Sequence, residues 1–283
     1  MLLAAGPDII MPHITDSRVI DYPCFRRGFM CEVELPRWAP VHLGPLTLDL
    51  SPTKHVVWLA IAALATTITL VLAARAHARH TRSAGAPRGF ANGVEAMVLY
   101  LRDRVVLPNV GPHGEKYVPF VLSLFFFILF ANLLGLIPYG ATATGNIAVT
   151  ATLALVTFVM VEAAGMRALG KSYIGTVVYW PTEMALPMRI VISLIMTPVE
   201  IIGKFTKPFA LMIRLFANMT AGHVIVLALI GLIFTFGSYW VIPGPFLMAI
   251  GIMLLEVFVA FLQAYVFALL ASVFIGQIRS AHH

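Results

Sequence analysis

This sequence is short of charge. Lysine, arginine, aspartate and glutamate make up 11% of its 283 residues against 60% hydrophobic, for a mean hydropathy of +0.90. A soluble domain usually gives about a quarter of its residues to charge. Too little polar surface remains to coat a globule in water, so the chain needs lipid as solvent. Cysteine is nearly absent too. Cys24 and Cys31 stand in the N-terminal region without the paired spacing or the histidines of a zinc site. They read as free thiols, and a local disulfide is allowed but not required if that region lies outside the cell. A phosphate-cradling glycine loop, a nucleophile elbow and an HExxH pair are all missing, and Gly93, Gly111 and Gly114 fit no such spacing. Nothing argues for hydrolysis or group transfer, and no cofactor or metal is expected. The net charge of +6 does not imply nucleic acid, because the bases lie in short segments between apolar runs with no aromatic-interleaved patch. Met1 to Ile10 lacks a basic start and is interrupted by Pro7 and Asp8, so it does not read as a cleavable signal.

What the sequence does contain is long apolar runs with few interruptions. Residues 1–54 form a Pro-punctuated polar tail with short local structure, and residues 55–283 form a membrane domain. Val56 to Ala74 is uncharged for 19 residues, about enough to cross the hydrocarbon at 1.5 Å per residue. Val118 to Val161 holds no Lys, Arg, Asp or Glu and is broken at Pro138-Tyr139-Gly140 and Gly145-Asn146, which splits it into spans over about 118–138 and 147–166. From Pro208 to Ile278 the only formal charges are Arg214 and Glu256, and Gly237 to Pro245 breaks the run. With the apolar stretch from Met188 on, this predicts a long tilted helix hairpin over 188–236 and 245–278. Phe90, Val94, Met97, Leu101 and Val105 recur at three-to-four spacing among arginines. They predict an amphipathic helix over about 90–106, its apolar face in the membrane surface. The expected fold is all-α, with about five to six membrane helices.

The bases orient it. Segments 75–117 and 167–207 are rich in Lys and Arg, as is the end at Arg279, while the turns near 140 and 240 have none. The positive-inside rule puts those loops and the C-terminus in the cytoplasm and the N-terminal tail outside.

A charge in mid-membrane costs from about 3 to above 10 kcal/mol, so each one must earn its place. Arg214 has Lys207 and Pro208 about 10 Å upstream along a helix. It therefore has two readings: an interfacial anchor at a helix end, or a functional cation. At about 100° per residue Asn218 lies one turn above it on the same face, and Glu200 falls roughly 40° away and about 21 Å distant if one helix runs through both. His223 falls on about the opposite side. On the last helix Glu256 and Gln263 share a face, and Ala260 and Ala264 beside them allow another helix to come close. Glu256 needs a partner or an aqueous cavity, and His223 is the candidate. A His–carboxylate pair there reads equally as a proton relay or as a structural pair. Glu162 is expected at the interface, His55 and Lys54 at a membrane boundary, and Asn132 in a bond to a neighbouring helix.

The stretch Ile213-Arg214-Leu215-Phe216-Ala217-Asn218-Met219-Thr220-Ala221-Gly222-His223 resembles the arginine signature of the subunit a family of F-type ATP synthases. Asn132 to Pro138, Pro198-Val199-Glu200, Gly114 to Phe120 and Leu262-Gln263-Ala264 are similar to further pieces of it, over roughly 55–278, and His13-Ile14-Thr15-Asp16-Ser17 looks like some bacterial members. The resemblance implies a multi-pass protein of the bacterial inner membrane that is no enzyme by itself and carries protons for a rotary ATP synthase. Its partners would be a ring of c subunits, b-type peripheral stalk subunits, the remaining synthase subunits and membrane lipid. Arg214 would face the ring, with Asn218 and Gln263 as polar neighbours in the contact zone. His223 and Glu256 would line the outer half-channel and Glu200 the cytoplasmic one. The coupling ion, H+ or Na+, stays open. The alternative is another multi-span ion transporter in which Arg214 binds an anion or gates a pore. An intramembrane enzyme would need its polar groups clustered at one depth, and here they are strung across the membrane.

Overall fold

A computed structural model of the chain describes residues 15–24, 29–44, 46–49, 51–80, 89–137, 140–178, 180, 185–236, 240 and 242–280. Met1 to Ile10 and the turn residues Pro138 and Tyr139 lie outside them. Among the described residues five helices are long and apolar enough to cross a membrane, the lower end of the expected number. In chain order they are α1 (Lys54–His80), α4 (Val118–Gly135), α5 (Ile147–Leu169), α6 (Leu186–Phe236) and α7 (Pro243–Arg279). Two shorter helices, α2 (Phe90–Tyr100) and α3 (Leu107–Val110), are joined by a π-helical turn over Leu101–Val106.

Local chemistry sets the ends. Pro119 and Pro243 sit in first turns, where a missing N–H costs nothing. Asn146 caps α5 by accepting from the Ala148 amide at 2.9 Å. Gly170, at φ 56°, closes the same helix in the left-handed conformation that a side chain would strain. The 51 residues of α6 continue through Pro198 and Pro208. At 1.5 Å per residue that is about 77 Å, more than twice the hydrocarbon thickness, so α6 cannot stand along the membrane normal.

The N-terminal region is two short antiparallel ladders. In the first, β1 (Val19–Cys24) pairs with β2 (Phe29–Glu34), Tyr22 opposite Cys31 and Cys24 opposite Phe29. In the second, β3 (Val41–Leu43) pairs with β4 (Leu46–Leu48). The ladders lead into α1, where the Lys54 amide donates to the Ser17 carbonyl at 2.9 Å and His55 Nδ1 meets Asp16 at 3.0 Å.

Two compact units account for the chain. The first is drawn from Met1–Ile68, Phe127–Val149 and Leu215–Gln263, the second from Thr69–Phe126, Thr150–Arg214 and Ala264–His283. Along α6 and α7 the changeovers fall directly after Arg214 and Gln263, two of the residues singled out by sequence.

In the second unit α5 buries a stripe of Thr150, Ala154, Thr157, Val161, Ala164 and Gly165, small residues that let helices approach without lipid between them. The segment expected to lie on the membrane surface is helical, but much of its apolar face is turned into protein. Val94, Leu101, Val105, Val106 and Val110 are buried, while Leu99 and Tyr100 stay exposed. The reason is α7. Gly276 is so close that an added Cβ would stand 1.9 Å from the Asn109 carbonyl oxygen. Arg279 also donates to the carbonyls of Val110 (2.8 Å) and Pro112 (2.6 Å), oxygens that the end of a helix leaves unpaired. Asn132 is a second correction: it accepts from Thr144 at 2.8 Å, in the 3-10 turn Ala143–Gly145 of its own hairpin and not on a neighbouring helix.

Candidate functional site

The first unit holds four of the six expected site residues. Asn218 on α6 is exposed and donates through Nδ2 to Gln263 Oε1 on α7 at 3.0 Å. Gln263 is fully buried, and its Nε2 has no partner among the described residues. The two amides therefore differ in reach: Asn218 faces outward, and Gln263 holds it from below. Ala260 and Leu215 are fully buried, so α6 and α7 pack closely around that bond.

Deeper in the same unit Glu256 is 8% exposed on α7. Its carboxylate rests against the backbone of α6 at Gly222, where an added Cβ would stand 1.9 Å from Oε1. Glycine at 222 is thus the gap into which the carboxylate fits. The carboxylate makes no hydrogen bond or ion pair among the described residues. The direct His223–Glu256 pair expected from the helix faces is not formed; the helices bring Glu256 to the residue next to His223 instead. His223 Nδ1 lies 3.5 Å from the hydroxyl of Thr142, which also donates to the Gly135 carbonyl at 3.3 Å. Thr220, one turn before His223's neighbour Val224, has a buried hydroxyl with no partner among the described residues.

The second unit holds Glu200 and Arg214, both on α6. Glu200 lines a cavity of about 180 Å³ with Glu162, Lys204, Lys207 and Gln277. Glu162, expected at the membrane interface, is held by partners inside the unit. Lys204 Nζ donates to its Oε2 at 3.1 Å, the Tyr173 hydroxyl donates to the same oxygen, and the pair's side chains are only 17% and 14% exposed. Lys207 donates to Gln277 at 3.0 Å. Arg214 lines a groove of about 480 Å³ together with Val199, Ile202, Ala210 and Leu270. Gly203, Lys207, Leu211 and Phe274 belong to the walls of both spaces, so the cavity of Glu200 adjoins the groove of Arg214. Arg214 is exposed and has no ion pair or hydrogen bond among the described residues. A helix-end anchor would sit among polar groups. Its neighbours Ile202, Phe209 and Ile213 are instead exposed apolar side chains.

Sequence reasoning missed Thr142, Thr220, the gap at Gly222, and the set Glu162, Tyr173, Thr176 and Lys204. Thr142 and Tyr173 sit in connections whose path no periodicity reveals. Lys204 carried a usable signal, since it follows Glu200 by four residues on one helix face and α5 has only one acid, Glu162, to offer it.

Comparison with known proteins bears on the chain as a whole. A family model described as ATP synthase A chain matches residues 56–276. ATP synthase subunit a of Anaeromyxobacter dehalogenans is 43% identical over 280 residues, 97% of this chain and 70% of that protein. ATP synthase subunit a 2 of Chlorobaculum tepidum is 46% identical over 279 residues, 97% of this chain and 73% of that protein. ATP synthase subunit a of Chlorobium phaeobacteroides is 45% identical over 280 residues, covering 97% and 75%.

Proposed function

The chain belongs to the ATP synthase A chain family, and from that premise we propose that it carries protons through the membrane sector of an F-type ATP synthase by two offset paths separated by Arg214. The observation that carries this reading is Arg214 itself: an exposed cation in an apolar helix, without a partner of its own among the described residues, in the wall of a groove adjoining the cavity of Glu200. A charge left unpaired in an apolar stretch costs several kcal/mol unless something outside the chain compensates it. The carboxylate of a c-type rotor subunit, passing in the membrane, is such a partner.

The outer path runs through the first unit. A proton arriving from outside meets the Thr142 hydroxyl, His223 and then the Glu256 carboxylate, held against Gly222. Histidine and a carboxylate can each take up and release a proton, which a path needs and a plug does not. Asn218, steadied by Gln263, stands one turn beyond Arg214 on α6 as the polar contact for the rotor. The inner path is the cavity lined by Glu200. Arg214 does two things between them. Its fixed positive charge repels a proton that would hop straight from one path to the other. It also attracts each arriving ring carboxylate and favours its ionised form, and so proton release. Rotation then carries the reprotonated, neutral carboxyl through lipid, where a charge would be expensive.

The basic segments put the C-terminus in the cytoplasm and the N-terminal ladders outside, in the inner membrane of a bacterium. Peripheral stalk subunits of the b type hold the chain still against the ring. In inverted membrane vesicles Arg214→Ala is expected to abolish proton-coupled ATP synthesis while the subunit remains in the membrane. Coupled synthesis at the wild-type rate in that variant would remove the basis for this reading.

A further inference from the structure

On α6 Glu200 precedes Lys204 by four residues, the order and spacing at which a carboxylate and an ammonium pair along a helix face. They do not pair here. Lys204 Nζ is drawn to Glu162 Oε2 at 3.1 Å, Thr176 Oγ1 at 3.1 Å and the Tyr173 hydroxyl at 3.3 Å. An ammonium has three protons, so every one is engaged. The acceptors are themselves fixed. The Tyr173 hydroxyl spends its proton on Glu162, and Thr176 spends its own on the Tyr173 carbonyl at 2.8 Å, which leaves oxygen lone pairs for the lysine. The Tyr173 ring adds a face 4.6 Å from the nitrogen. The other cation of the cavity, Lys207, is taken by Gln277 and lies 5.2 Å from the Phe274 ring. Of the four charged side chains lining this cavity, Glu200 alone has no partner among the described residues.

We infer that Glu162, Tyr173 and Thr176 form a clamp that holds the Lys204 ammonium off Glu200, so that Glu200 stays free to exchange protons. Lys204 and Glu162 are positioning residues, since neither needs to carry the proton. The inference rests on the proposed role of Glu200 in the inner path. Without the clamp, Lys204 swings one turn back along its helix and binds Glu200, which then no longer passes protons readily.

The test uses assembled ATP synthase in inverted vesicles, with passive proton conductance measured after removal of the soluble sector and subunit content checked by immunoblot. Glu162→Gln lowers conductance about fivefold, the occupancy bias of a partly buried ion pair. The double variant Glu162→Gln/Lys204→Met returns it to within about twofold of wild type, because the stray cation is gone. If the cluster only staples α5 to α6, the double variant is as poor as the single one or worse, and the clamp is overturned. Should Glu162→Gln fail to assemble, Tyr173→Phe removes one arm of the clamp and shows the same pattern in milder form, again relieved by Lys204→Met; a Tyr173→Phe protein that conducts normally overturns the clamp. Glu200→Gln, run alongside, separates the two ideas. If it leaves conductance intact, the inner path lies elsewhere and the clamp falls with it. If it stops conductance while Glu162→Gln does not lower it, the path stands and the clamp alone is wrong.

Discussion

The polar clusters around Glu162 and around Glu256 solve the problem of polar groups in an apolar protein in opposite ways. Around Glu162 in the second unit, bonding is saturated: an ammonium with three acceptors, a carboxylate with two donors, and hydroxyls that give and receive. Around Glu256 in the first unit it is sparse. Glu256 has no partner among the described residues, and Thr220 Oγ1, Asn132 Nδ2 and Gln263 Nε2 are buried without one. A saturated network is rigid, and moving a proton through it means breaking several bonds at once. An under-bonded set keeps donors and acceptors in reserve at the cost of about 1–3 kcal/mol for each unsatisfied group. That cost is tolerable where transfer is the task, and it separates groups that carry protons from groups that hold others in place.

Neutralising the acid tests that separation most severely. Glu256→Gln keeps the size of the side chain and removes its proton exchange, and proton conductance through the membrane sector is expected to fall about a hundredfold. A compensating change on His223 or Thr142 should not restore it, whereas loss of Glu162 is relieved by removing Lys204. If Glu256→Gln were rescued by a second neutral substitution nearby, the two regions would be equivalent and the contrast between them would fail.

The close approaches at glycine come next. At Gly276 an added Cβ would meet backbone, 1.9 Å from the Asn109 oxygen and 2.9 Å from its carbon. Neither side can yield, so Gly276→Ala forces α7 away from α3 at about 2 kcal/mol, roughly a thirtyfold loss in the folded ratio. Thermal unfolding of the detergent-purified complex and the subunit level in membranes should both register it. Normal stability would mean that α3 does not depend on α7.

Much of this was legible in the sequence, and the reasons differ from place to place. The α1 and α4–α5 helices follow from uncharged lengths between turn residues, a pattern that depends on local chain properties alone. Arg214 was visible because its cost in lipid is high whatever surrounds it. The clamp was not, since Glu162 and Lys204 are 42 residues apart on different helices, and two of its acceptors, Tyr173 and Thr176, come from the 3-10 turn at Gly170–Thr176. The burial of Leu101 and Val105 was hidden for a related reason. An apolar face reads the same whether lipid or α7 covers it, and the glycine that admits α7 lies far along the chain. Gly222 stood inside the arginine motif, but only the structure gives it a steric purpose.

Gly222→Ala makes that purpose measurable and is the milder counterpart of Gly276→Ala. The atoms it meets belong to the end of the Glu256 side chain, with Oε1 at 1.9 Å and Cγ at 3.0 Å. A flexible carboxylate can turn aside, so the subunit should assemble at near wild-type levels. The carboxylate leaves its place against Gly222, and conductance should drop about tenfold, less than with the acid removed. Lost assembly with normal specific conductance would show that this gap serves packing, like the one in the second unit.

The smallest effect belongs to Asp49, outside both networks. The Ser51 hydroxyl, then the Ser51 amide at 3.0 Å, and the Arg18 guanidinium hold its carboxyl below the ordinary value of 3.8. A carboxyl whose folded value is depressed stabilises the fold above its unfolded value, and that contribution is lost as pH falls through the folded one. Protection of the Ser51 amide from hydrogen exchange should therefore be flat from neutral pH to about pH 4 and decline below it, and Asp49→Asn should remove the decline. Proton conductance should not change in that variant, because an exposed pair is screened by water and salt and commands little beyond its own turn. A drop in conductance there would place the N-terminal ladders on the outer path, and the sparse region would then extend well beyond Thr142.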